Sequence, residues 1–189
     1  MSNLKELTWE HHKNAERQTF VKEMFAKQPQ ISKERYACYL FNQHPQYNML
    51  EMFGMMQGLF DDMPELRRAP AIHEDYQELW GKANPNQPPL MPVVKEYMDY
   101  LLSIKDDADK LMAHIYVRHM GDLSGGQMIR RKVPGKTRMY DFDGDTAELK
   151  EKIRSKIDDS MADEAKFVFE SSTKLFKELM ELDIERYLG

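Results

Sequence analysis

Cysteine is nearly absent: Cys38 stands alone in 189 residues. One thiol cannot close an internal disulfide, complete a CxxC metal site or hold an iron–sulfur cluster, which suits a cytoplasmic chain. Long apolar runs are missing as well. No stretch approaches the roughly 20 apolar residues that cross a bilayer. The N-terminus MSNLKELTWEHHK is charged from its fifth residue and ELDIERYLG keeps charge near the C-terminus, so neither an export signal nor a membrane anchor is expected. Positive charge is not in excess. Lys and Arg number 27 against 32 Asp and Glu, a formal net charge of -5, so the whole molecule has no general attraction for nucleic acid or anionic lipid. Alternating apolar and polar runs of strand type are lacking too.

What is present suits one globular, well-solvated domain spanning 1–189: 41% of residues are hydrophobic and 31% charged, with a mean hydropathy of -0.71. Helical spacing dominates. Leu4, Leu7, His11 and Ala15 follow one stripe, and Ile153, Ile157, Met161, Ala165, Val168 and Phe169 follow another. Helices are expected at about 3–27, 32–57, 64–80, 90–103, 106–132 and 145–188, with breaks at Pro29, at GKANPNQPPLMP over 81–92 and at VPGK over 133–136. The fold expected is all-α. The 15 methionines point to an adaptable interior.

The segment LMAHIYVRHMGDLSGGQMIRRK carries three glycines in six positions, Gly121, Gly125 and Gly126. Each costs about 1 kcal/mol relative to Ala inside a helix, so this helix is expected to bend there or to be touched closely on its backbone. Gly121 and Gly125, at i and i+4, share a face on which a flat, rigid ligand or another helix can approach the main chain. Asp122 puts a carboxylate at the edge of that contact. LSGGQ is also a signature string of ABC-transporter ATPases. That family needs a phosphate loop too, and RRKVPGKT has Arg130 where the first glycine is required and follows LSGGQ instead of preceding it.

The longer string YVRHMGDLSGGQ resembles the distal-helix motif of haem oxygenases, and LKELTWEHHKNAE resembles their proximal helix. Two later blocks, ELKEKIRSKIDDS and DEAKFVFESSTKLFKELMEL, resemble the propionate-side segment and the late pocket-wall helix of that family. The likeness covers most of the chain and is nearest to the bacterial and plastid type. It implies a helical fold with haem b, both cofactor and substrate, between an N-terminal helix and a kinked glycine-rich helix. The motif register makes His12 the axial iron ligand, although His11 continues the apolar stripe better. The resemblance further implies Glu16 as partner of the other ring N–H and Lys5, Tyr116, Lys150 and Arg154 on the propionate side. Gly121, Gly125 and Gly126 would lie against haem, Phe169 and Phe176 would wall it, and Asp122 would organise the proton supply with Tyr47 and an orienting Arg118.

The implied reaction consumes dioxygen and yields biliverdin IXα, carbon monoxide and ferrous iron. Electrons must come from outside, because the chain has no flavin or dinucleotide motif. Arg130, Arg131, Lys132, Lys136 and Arg138 follow one another with no acid among them and suit docking of a reduced, acidic ferredoxin, with a bilin reductase as a possible downstream partner. Departures from the family pattern gather in YLFNQHPQYNMLEMF, where Pro45 should kink the helix, at His119, where tyrosine is usual, and at Ser172, which replaces a frequent asparagine. The competing readings are a non-catalytic haem carrier or sensor using the same pocket, and a helical scaffold whose glycine face is only close packing.

Overall fold

The computed structural model describes residues 2–81 and 84–189, and among these every regular element is helical. In chain order these are α1 (Leu4–Leu7), α2 (Trp9–Glu16), α3 (Thr19–Phe25), α4 (Lys33–Met56), α5 (Ala69–Trp80), α6 (Pro92–Ser103), α7 (Ala108–Ser124), α8 (Gly126–Ile129), α9 (Thr146–Arg154) and α10 (Ala162–Glu181). Short 3₁₀ turns fall at Pro64–Leu66, Arg138–Tyr140, Asp159–Met161 and Ile184–Tyr187. Residues 82 and 83 of the break expected over 81–92 lie outside the described residues.

Local chemistry sets the boundaries. Side chains of Ser32, Asp107 and Asp145 accept backbone N–H bonds at the starts of α4, α7 and α9, satisfying donors that a helix leaves free there. Pro92 opens α6, and Gly81 ends α5 at φ +69, a conformation that favours glycine. The helix expected over 3–27 is in fact three. Thr8 turns its hydroxyl back to the carbonyl of Leu4 at 2.8 Å and leaves the helical region (φ -107, ψ 5), while Gln18 is extended at ψ 140. The helix expected over 145–188 divides too, because Asp158 is extended and caps the next turn by accepting from the Ser160 N–H.

The α4 helix continues from Lys33 to Met56 with Pro45 inside it. Side-chain amides of Asn42 and Gln46 turn back onto the carbonyls of Cys38 and Asn42 at 2.9 and 2.8 Å. The helix lies against α5, α6 and α7, and α10 lies against α2, α3, α6 and α7. Two apolar clusters flank α4. One contains Phe20, Met24, Tyr36, Leu40, Ile72 and Leu179, the other Leu50, Phe53, Leu101, Leu111, Ile115 and Ile153. Each such side chain, fully buried, contributes about 1.5–3 kcal/mol. No helix among the described residues is long and apolar enough to cross a membrane.

Candidate functional site

The buried face at the N-terminus is not the expected stripe: Leu7 is 46% exposed, whereas Leu4, Thr8 and Ala15 are buried. That shift carries the register forward to His12, four residues after Thr8. The side chains of His11 and His12 are 34% and 37% exposed, so burial does not distinguish them, but their surroundings do. The His11 Nε2 pairs with Glu170 Oε1 at 3.2 Å. The His12 ring lies between Trp9 and Phe169, with both centroids at 5.4 Å, and its Nε2 is 2.9 Å from Glu16 Oε1. Glu16 therefore does reach the imidazole, at Nε2; were that atom to hold a metal, Glu16 would have to accept from Nδ1–H instead.

Along α7 and α8 the three glycines have different surroundings. A Cβ built on Gly121 meets nothing within 4 Å, and one on Gly125 meets only the Gly121 carbonyl oxygen at 3.5 Å. A Cβ on Gly126 would lie 2.4 Å from Tyr140 Cδ1. Gly126, expected to lie against a ligand, is thus needed by the Tyr140 ring. The helical interruption falls at Gly125, which joins α7 to α8.

Next to the open face of Gly121, Asp122 is only 7% exposed and its Oδ2 accepts from the Tyr47 hydroxyl at 2.8 Å. Burial pushes the Asp122 carboxyl up to about 7, against the opposing effects of His119, the Tyr47 hydrogen bond, Arg68 and Arg118. Burial also pushes the Tyr47 hydroxyl well above its ordinary range, so it remains a donor. The sequence expectation that Arg118 contacts Asp122 is corrected. The Arg118 guanidinium turns the other way, donating to Gln46 Oε1 at 2.9 Å, the Tyr97 hydroxyl at 3.2 Å and Gln43 Oε1 at 3.4 Å, and lies 4.4 Å from the Tyr97 ring centroid.

Gln43, Gln46, Glu51 and Tyr97 were not anticipated as site residues. Gln43 also donates to the Tyr39 hydroxyl at 2.8 Å. Glu51, fully buried, accepts from the Arg68 and Ala69 backbone N–H groups at 2.6 and 3.1 Å and faces His119 Nε2 at 2.9 Å. A signal existed: Gln43, Gln46, Tyr47 and Glu51 recur at helical spacing along α4. Tyr97 bonds His114 Nδ1, whose Nε2 meets Glu164 Oε1 at 2.8 Å.

The propionate-side candidates are nearer solvent. Lys5 and Arg154 are exposed and Lys150 and Tyr116 half-buried, with Arg154 ion-paired to Glu151. Burial raises the Tyr116 hydroxyl, and the Arg154 cation acts on it in the opposite sense, so these two groups share one region. Phe176, by contrast, stacks on Phe20 and Tyr39, each centroid at 6.2 Å, within the cluster where α3, α4 and α10 meet. The basic stretch is not acid-free in three dimensions. Arg138 is held at 3.1 Å by both Asp75 and Glu78 of α5, which removes it from the cations available for docking.

These groups fit a flat iron macrocycle: a half-exposed imidazole beside Phe169, a glycine face open at Gly121, and a buried carboxyl adjacent to it. A family profile described as "Heme oxygenase" matches residues 1–182. The heme oxygenase of Pyropia yezoensis is 27% identical over 208 residues, covering 94% of this chain and 84% of that one. Heme oxygenase 1 of Synechocystis is 28% identical over 205 residues, covering 94% and 83%. The crystal structure of heme oxygenase-1 from Synechocystis in complex with heme superposes with a TM-score of 0.80 at 27% identity, covering 97% of this chain and 92% of that one. The heme oxygenase of Leptospira interrogans superposes at 0.79 with 27% identity, covering 93% and 97%.

Proposed function

The chain belongs to the haem oxygenase family, and from that premise we propose that it opens haem b to biliverdin IXα, releasing carbon monoxide and ferrous iron. When bound, haem supplies the iron that takes up dioxygen and the porphyrin that is oxidised. His12 would hold the haem iron through its imidazole, with Glu16 fixing which ring nitrogen is free. Lys5, Lys150, Arg154 and Tyr116 are proposed to receive the propionates and so to select the porphyrin edge presented to α7. The open Gly121–Gly125 face admits the macrocycle against the main chain.

The observation that carries the reading is the buried Asp122 carboxyl, pushed up to about 7 and bonded to Tyr47. Near neutral pH such a group both holds and yields a proton, as a proton-supplying residue must. Because Tyr47 is an obligate donor to it, the Asp122 proton resides on the oxygen that Tyr47 does not occupy. Arg118, anchored by Gln43, Gln46 and Tyr97, holds the polar wall behind this pair without neutralising the carboxylate directly. A carrier would have no use for an acid poised there.

Reduction is assigned to an external acidic donor of ferredoxin type. Arg130, Arg131, Lys132 and Lys136 remain the proposed docking cations. The test is to add haem, dioxygen and a reductant and follow the Soret band and bilin absorbance together. Bilin formation by the native protein, and haem binding without bilin in Asp122→Ala, are the expected results. A persistent Soret band with no bilin from the native protein would instead establish a carrier.

A further inference from the structure

His119 is fully buried on α7, three residues before Asp122, and both of its ring nitrogens face acceptors. Nε2 lies 2.9 Å from Glu51 Oε2 and Nδ1 lies 3.3 Å from the Ile115 carbonyl oxygen. A neutral imidazole has one N–H and can serve only one of them. The proton could sit on Glu51 instead, but both Glu51 oxygens already accept backbone N–H bonds, from Arg68 at 2.6 Å and Ala69 at 3.1 Å. These N–H groups belong to the start of α5, where a helix favours an anion, and Arg67 Nε is a further 3.7 Å neighbour. Donors therefore surround the carboxylate, and acceptors surround the imidazole.

We propose that His119 is a doubly protonated imidazolium, held charged by Glu51, that acts as a fixed cation setting the pH range in which Asp122 keeps its proton. The contact runs through Tyr47. The His119 ring meets the Tyr47 ring edge-on at 5.3 Å, and the Tyr47 hydroxyl donates to Asp122. On α7, positions i and i+3 are neighbours on one face. The other groups able to act on Asp122 are identified by their places in the fold. Arg118 is directed to Gln43, Gln46 and Tyr97. The Arg68 guanidinium is occupied by the carbonyls of Glu65, Leu66, Arg67, Met139 and Asp141. Tyr36, Tyr39 and Tyr140 stay protonated because burial raises their hydroxyls. On the other packed elements, Glu164 of α10 is paired with His114 farther along α7.

His119 is thus the charged group closest in sequence and contact to the Asp122–Tyr47 pair, apart from Arg118, whose donors are taken. The tyrosine usual at this position in the family pattern is neutral, so the cation is a property of this chain. His119 is a positioning residue: it acts on Asp122, not on the reacting atoms. This inference rests on the Asp122 role proposed above, yet it is testable without haem.

The protonated-carboxyl infrared band of Asp122, identified by its loss in Asp122→Asn, is titrated from pH 5 to pH 9 in protein without added haem. His119→Gln and His119→Tyr are expected to move its midpoint upward by about one pH unit, since a neighbouring cation lowers a carboxyl and its removal reverses that. An unmoved midpoint in folded variants overturns the proposal. For the native protein, nitrogen-15 spectra of the His119 ring at pH 7 should show two protonated nitrogens. A single neutral tautomer there overturns it even if neither variant folds. In the haem-loaded enzyme the pH range of bilin formation should move upward with the band. Absence of bilin from the native protein at any pH would refute the enzymatic reading and leave the titration result intact.

Discussion

Replacing Asp122 by Asn should stabilise the protein, and by an amount that depends on pH in one direction. In the folded state the carboxyl is pushed from its ordinary 3.8 to about 7 by burial; in the unfolded chain it returns to the ordinary value. Between those two pH values the folded state binds a proton that the unfolded state does not. Stability of the native protein therefore falls, relative to the variant, as pH rises from about 4 to about 7, and then levels off. About three pH units at roughly 1.4 kcal/mol each set a ceiling of about 4 kcal/mol, a large part of the 5–15 kcal/mol typical of a domain. Asn is nearly isosteric and its carbonyl oxygen still accepts from Tyr47, so at pH 4 the two proteins should be about equally stable. Urea denaturation of both at pH 4, 5.5, 7 and 8.5 gives two stability curves, and their difference cancels every other titrating group. Parallel curves would refute the assignment of a proton to buried Asp122 near neutral pH.

The glycines should separate by substitution. Gly126→Ala drives a methyl into the Tyr140 ring and should cost about 1–3 kcal/mol, read as a lower Tm, whereas Gly121→Ala meets open space, should gain up to about 1 kcal/mol of helix propensity and yet weaken haem binding in a Soret titration. His12→Ala should abolish native axial ligation and His11→Ala should spare it; the reverse pattern in the resonance Raman spectrum would shift the register by one residue. Charge reversal at Arg131 and Lys132 should raise the KM for reduced ferredoxin and flatten its dependence on salt, while reversal at Arg138, already bound by Asp75 and Glu78, should act mainly on stability.

Periodicity alone exposed the all-helical fold, since apolar stripes at helical spacing survive without knowledge of what they pack against. It misplaced the joints because those depend on single polar contacts. Thr8 ends α1 with a hydroxyl-to-carbonyl bond and Asp158 restarts the chain as a cap; either residue also occurs inside continuous helices. The stripe at Leu4, Leu7, His11 and Ala15 failed for a related reason. Once the chain turns at Thr8, Leu7 rotates to solvent, while His11 and His12 are left about equally exposed. Pro45 is the converse case, a helix-breaking residue through which α4 nonetheless continues.

The site was legible where chemistry is local and hidden where it is tertiary. Asp122 beside Gly121 is a property of adjacent residues, and the string announces it. The resemblance already sets Tyr47 with Asp122, and their hydrogen bond agrees with it; that Arg118 is not a partner follows from how α4 crosses α7. Two residues four apart on a helix need not touch when one has better donors and acceptors elsewhere, and Gln43, Gln46 and Tyr97 offer Arg118 three. The same crossing places Glu51 against His119. A buried carboxylate needs a cation or several donors to remain charged, and α5 supplies the N–H groups by beginning its first turn there. Thus the helix start that ends the loop after α4 also supplies the N–H groups from which Glu51 accepts. Through His119 it reaches the buried carboxyl bonded to Tyr47, so the protonation of Asp122 depends on the packing of three helices as well as on the motif that contains it.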